Sequence, residues 1–238
     1  MAQRGSDFRQ ILAKYFPGTN VGQQQFVQVG RKRSSHFTVT FPRKTDAREI
    51  DRVLELLEAQ RSNLAGRLAS AGIETQIPDV EIVFNQTTGD FAGRTGVSSW
   101  AAAATRNRRI ELQPLSLLKQ RGILETTLRH ELVHVVLDAI GGPQTPRWLA
   151  EGMAIYFSGE GKLLERYGRG PSLAVNELEQ KLAAVHSAEE MKIAYANAYK
   201  LVRDLVRREG ETKVWKRVAQ HSYDVSALSA SSAKSRSD

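Results

Sequence analysis

Apolar residues recur at two different periods along this chain, and the change between them divides it. Over residues 26–42, FVQVGRKRSSHFTVTFP, the positions Phe37, Val39 and Phe41 alternate with polar neighbours and Pro42 closes the run. That pattern predicts two strands of a hairpin around a basic turn. Residues 45–72 switch to helical spacing, with Ile50, Val53, Leu54, Leu57, Leu64 and Leu68 on one face and Gly72 at the end. DVEIVF (79–84) reads as a strand and NQTTGDFAGRTG (85–96) as a loop. RRIELQP (108–114) alternates again, and the proline that stops it suits an edge strand.

Beyond Pro114 the spacing is helical. LLKQRGILETTLRHELVHVVLDAIGG ends in a glycine pair, and TPRWLAEGMAIYFSG opens with Thr145 as N-cap and Pro146 at the first helical position. EEMKIAYANAYKLVRDLVRREG is a long amphipathic segment. Strands followed by helices, with no internal repeat, predict an α+β fold rather than an alternating α/β sheet. One domain is expected over 26–222, preceded by a segment 1–25. The Ser/Ala/Lys-rich residues 223–238 form a tail with too little apolar area to order itself.

Composition narrows the function classes. Hydrophobic residues at 41% and charged residues at 25% exclude a disordered chain. The 34 Lys and Arg outnumber the 26 Asp and Glu, for a formal charge of +8, but the basic residues are dispersed and lack aromatic interleaving. They read as solvated surface, and no specific nucleic-acid partner is expected. The absence of cysteine excludes disulfides, thiolate metal sites and a cysteine nucleophile. No apolar run approaches the roughly 18 residues of a membrane span, so no transmembrane segment is expected. The opening MAQRGSDFRQ has no apolar stretch of the kind a secretory signal carries.

Against that background RHELVHVVLD (129–138) is unusual. Helical geometry puts His134 about 40° from His130, Asp138 about 40° further on and Glu131 at about 100°. Leucines, valines and alanines fill most of the remaining circle. A helix apolar on nearly every side, with one polar sector, directs that sector at something polar. Histidines at i and i+4 share a face and can converge on one ion, while the glutamate between them lies beside that ion, where it can serve as a general base. With five histidines in the chain, this pentapeptide arises by chance less than about once in a hundred such sequences. In TPRWLAEGMAIYF, Glu151 shares a face with Trp148, Ala154 and Ile155, and a carboxylate on an apolar face needs a partner. Two histidines and a glutamate make a catalytic zinc set with its fourth position left to water.

The joint pattern, His130-Glu131-Leu132-Val133-His134 and then Trp148-Leu149-Ala150-Glu151-Gly152 with Ala154 and Tyr156, resembles the bacterial peptidase-MA-like zinc metalloproteases of the gluzincin group. The likeness extends over roughly residues 34–210, by element order. It implies a zincin-like α+β fold, a small mixed or antiparallel sheet whose edge strand lies over the active-site helix, followed by a mostly helical C-terminal half. It implies zinc held by His130, His134 and Glu151, Glu131 as the catalytic base, and a peptide or protein substrate bound as an added strand along Arg109, Ile110, Glu111 and Leu112. Tyr195 matches the family's oxyanion-stabilising tyrosine, with Tyr199 and Tyr156 as competitors. An extracytoplasmic or cell-envelope setting is also implied.

One position departs from the family. Related enzymes often place Asp four residues after the ligand glutamate, where this chain has Ile155. Asp138, one turn past His134, is the candidate to orient a ligand instead, or it makes only local contacts at the helix end. The rival reading is an inactive zincin-like domain that binds peptide or anionic wall polymer through its edge strand and basic surface. The sequence points to no oligomeric state.

Overall fold

The computed structural model describes residues 28–184 and 187–223. The expected segment 1–25 and all of the expected tail except Tyr223 lie outside the described residues. Five strands form one mixed sheet: β1 (Val29–Arg33), β2 (Phe37–Pro42), β3 (Val80–Phe84), β4 (Ala103–Arg106) and β5 (Arg109–Leu112), in the order β1-β2-β3-β5-β4. The inner strands β2, β3 and β5 run parallel, and an antiparallel strand closes each side. The remainder is mostly helical, so the architecture is α+β with a small mixed sheet.

The expected hairpin forms, with one difference. Arg31, Lys32 and Arg33 belong to β1, and the turn is built by residues 34–36. That turn is tied down from a distance. Helix α1 (Ala47–Ser70) presents Glu58, whose carboxylate accepts from the Ser34 hydroxyl at 2.6 Å and the His36 backbone N–H at 2.9 Å, and pairs with His36 Nδ1 at 2.8 Å. All six apolar residues expected on one face of α1 are buried.

Two expectations fail for local reasons. Residues 85–96 are not all loop. Thr88–Thr95 forms helix α2, because Thr87 and Asp90 make a reciprocal capping box and Phe91 is fully buried. A helix this short, with a single apolar anchor, leaves no periodicity to read. Nor is β5 an edge strand. Its backbone pairs with β3 on one side and β4 on the other. The outer place belongs to β4, whose sequence AATR does not alternate. Asn107, at φ 56°, sits in the tight turn that joins them.

The helical half begins with α3 (Leu115–Gln120) and α4 (Leu124–Gly141), which the sequence pattern ran together; Gly122 at φ 66° separates them. Helix α5 (Arg147–Ser158) follows, and Thr145 does not cap it. Both carboxylate oxygens of Glu179, on α7 (Val175–Ala183), accept from the Arg147 and Trp148 backbone N–H groups at 3.0 Å. The short α6 (Gly161–Leu164) lies between α5 and α7 in sequence. Helix α8 (Ala188–Glu209) starts with a Ser187/Glu190 capping box, and α9 (Glu211–Ala219) buries Trp215, which stacks on Phe157 at 4.8 Å. One continuous apolar core runs from Phe37 on the sheet to Val218 on α9. Among the described residues no helix is long and apolar enough to cross a membrane.

Burial opposes the charge on Glu58, but its hydrogen bonds to Ser34 and His36 outweigh this and hold its carboxyl below the usual value. A depressed native pKa adds stability above the unfolded value and loses it as pH falls through the native one. Glu58→Gln is therefore expected to lower the urea midpoint at neutral pH and to match the parent once both are well below pH 4, roughly the carboxylate range. A gap that stays constant across that range contradicts the assignment.

Candidate metal centre

Helix α4 is buried almost all round, with Leu128, Leu132, Val133, Val135, Val136 and Leu137 each at most 1% exposed. Its polar sector carries His130 and His134, and α5 crosses that sector with Glu151. Gly152 sets how closely α5 can lie to α8. A Cβ there would sit 2.5 Å from the Ala198 carbonyl oxygen and from Val202, so only glycine permits this helix contact. The neighbouring Trp148, Leu149, Met153 and Ala154 are buried, fixing the roll of α5 that turns Glu151 towards α4.

The result is a triangle of donors. His130 Nε2 lies 3.1 Å from His134 Nε2, and each lies 3.5 Å from Glu151 Oε2. Tetrahedral zinc with bonds of about 2.0–2.1 Å separates its ligand atoms by about 3.3 Å, so the triangle has the dimensions such an ion needs. His130 Nδ1 meets Glu160 Oε2 at 2.8 Å, which assigns the ring proton to Nδ1 and leaves the Nε2 lone pair facing the triangle. The three side chains are 12%, 19% and 24% exposed, so the centre is not sealed from solvent.

Two lone pairs and a carboxylate at this range repel unless a cation sits among them. Without a metal, protons take that part. Burial alone would lower both histidines, yet Glu160, with Glu151, raises His130 well above its ordinary value, and Glu151 raises His134. Burial would raise Glu151, but the two histidines hold it far below the carboxylate range.

Glu131 is 9% exposed and stands beside the triangle. Its Oε2 accepts from the Thr105 hydroxyl of β4 at 2.5 Å. Tyr195 lies on α8 among the acidic groups, where the charge of Glu151, then burial, then Glu131 and Glu160 raise its hydroxyl far above the tyrosine range. It stays a donor. Tyr156 and Tyr199 instead pack against each other at 6.3 Å, and the Tyr199 ring covers Gly161.

The remaining candidates lie elsewhere. Asp138 is exposed, borders surface cavities of about 620 and 410 Å³, and hydrogen-bonds neither histidine through its carboxylate. Partial burial raises it while the charge of His134 opposes that. Glu160, not Asp138, is the carboxylate that contacts a histidine of the triangle through its outer ring nitrogen. It follows Gly159, which ends α5 in the left-handed conformation and turns the chain back towards His130. No fixed spacing announces such a residue, and Ile155, at the family's usual position, is fully buried in the core. Arg109, Ile110, Glu111 and Leu112 lie on interior strand β5 and offer no free backbone edge. Ile110 and Leu112 are fully buried, and Arg109 bridges Glu81 and Glu111. Compared with known proteins, the chain matches no family model and no curated relative.

A carboxylate that fixes a ligand's tautomer usually contributes about 10–100-fold to metal affinity. Glu160→Gln should weaken zinc binding by that order in a chelator competition, with the far-ultraviolet spectrum unchanged. Unchanged affinity contradicts its role.

Proposed function

We propose that this protein is a zinc-dependent peptidase, with His130, His134 and Glu151 as the metal ligands and Glu131 as the catalytic base. The observation that carries this reading is the combination of a triangle of zinc dimensions, partly exposed to solvent, with the Glu131 carboxylate near it. A purely structural zinc site closes its fourth position and has no use for a neighbouring base. The resemblance to the gluzincin proteases, residue by residue over His130, Glu131, His134 and Glu151, supports the same assignment.

His130, His134 and Glu151 would hold the zinc, which would supply an acidified water, with a pKa of about 7, and a Lewis acid for the scissile carbonyl. Glu131 takes the proton from the attacking water and later hands it to the departing amine, as a general base and then a general acid. Tyr195, kept protonated by the surrounding carboxylates, donates to the oxygen on which negative charge develops. Glu160 holds His130 in the tautomer that presents Nε2. Peptide recognition by strand addition needs unpaired backbone groups, and beside the site these lie on the outer edge of β4, not on β5.

Glu131→Gln separates metal binding from chemistry. Against a fluorogenic peptide library the variant should hold as much zinc as the parent and lose at least about 100-fold in kcat. Equal turnover in metal-verified samples, or a zinc-loaded parent that cleaves no member of the library, would overturn the assignment.

A further inference from the structure

Thr105 makes a contact that neither the motif nor the ligand set requires. It belongs to the outermost strand, where its backbone pairs opposite Ile110, a fully buried residue of β5. From there its hydroxyl crosses to α4 and donates to Glu131 Oε2 at 2.5 Å. That is the short range of a hydrogen bond to an ionised carboxylate, about twice as strong as a neutral one. A β-branched side chain on a strand has restricted χ1, so the hydroxyl is aimed by the sheet. The metal ligands, in contrast, are aimed by helices α4 and α5.

Glu131 needs such a restraint. It lies between His130 and His134 in sequence, near enough for its charge to act on both rings, and a carboxylate is itself a good zinc donor. A carboxylate on the metal would close the open position and cease to be a base. We propose that Thr105 is a positioning residue that holds the Glu131 carboxylate on the edge strand and out of the metal's coordination sphere. The proposal rests on the reading of the centre as a metal site and goes beyond it by assigning the sheet a part in keeping that site open. One carboxylate oxygen is occupied by Thr105, and the other is left to accept a proton.

The test compares Thr105→Val, which keeps the shape and removes the hydroxyl, with Thr105→Ser, which restores it. The parent chain and its variants are loaded with cobalt(II) alone, whose visible spectrum reports ligand number, and zinc affinity is measured by chelator competition. Thr105→Val should change the cobalt spectrum and tighten zinc binding by about tenfold, whereas Thr105→Ser should stay within about twofold of the parent, the scale of outer-shell effects. In a Glu131→Ala background Thr105→Val should change neither quantity. An unchanged spectrum and affinity in Thr105→Val overturns the proposal, as does an equal change in the Glu131→Ala background, which would mark a general structural role. A parent that takes up neither metal overturns the reading of the centre itself. The contact is then judged in the metal-free chain by a Thr105→Val and Glu131→Gln cycle on unfolding, where a coupling of about tenfold in the equilibrium constant supports it and additivity refutes it.

Discussion

Three electron-rich atoms, the Nε2 atoms of His130 and His134 and an oxygen of Glu151, are held within 3.5 Å of one another. Left to themselves they would separate. What keeps them together is the packing of α5 between α4 and α8, and the most restrictive element of that packing is the close approach at Gly152. The unusual composition of α4 follows from the same demand. Apolar residues on nearly every side leave the helix no freedom to roll, so its single polar sector stays aimed at Glu151.

Helices and sheet contribute different things to the centre. The helices bring His130, His134, Glu151 and Tyr195, and the turn after α5 brings Glu160 behind His130. The sheet brings the outer edge of β4 and the Thr105 hydroxyl on Glu131. The continuous core from Phe37 to Val218 ties the two halves together, so a displacement of the sheet would be felt at Glu131 and one of the helices at His130, His134 and Glu151. Electrostatics acts in one direction throughout. Three glutamates near two histidines favour a positive charge in the middle, whether protons or a divalent ion supply it.

Much of this was legible in the sequence. The periodicity of α1, the strands β2 and β3, the long helix α8 and the convergence of His130, His134 and Glu151 all have regular spacing, and regular spacing is what a sequence displays. The failures share a physical cause. β4 has no alternation because Ala103, Ala104, Thr105 and Arg106 are only partly buried or exposed, so by pattern alone the strand next to it reads as the edge. The α5 cap comes from Glu179, more than thirty positions away, and local reading chose Thr145. Glu160 reaches His130 through a chain reversal at Gly159, whereas Asp138, at a suggestive helical spacing, remains at the surface. Long-range hydrogen bonds set by tertiary packing leave no periodic trace.

If His130, His134 and Glu151 together hold zinc, the metal content of the purified protein depends on all three. Elemental analysis of the parent and of Glu151→Ala, after dialysis of both against a weak chelator, should find about one zinc per chain in the parent and a sharp loss in the variant, as a three-ligand site requires. No zinc in the parent even after reloading, or equal zinc in the two proteins, would contradict the account.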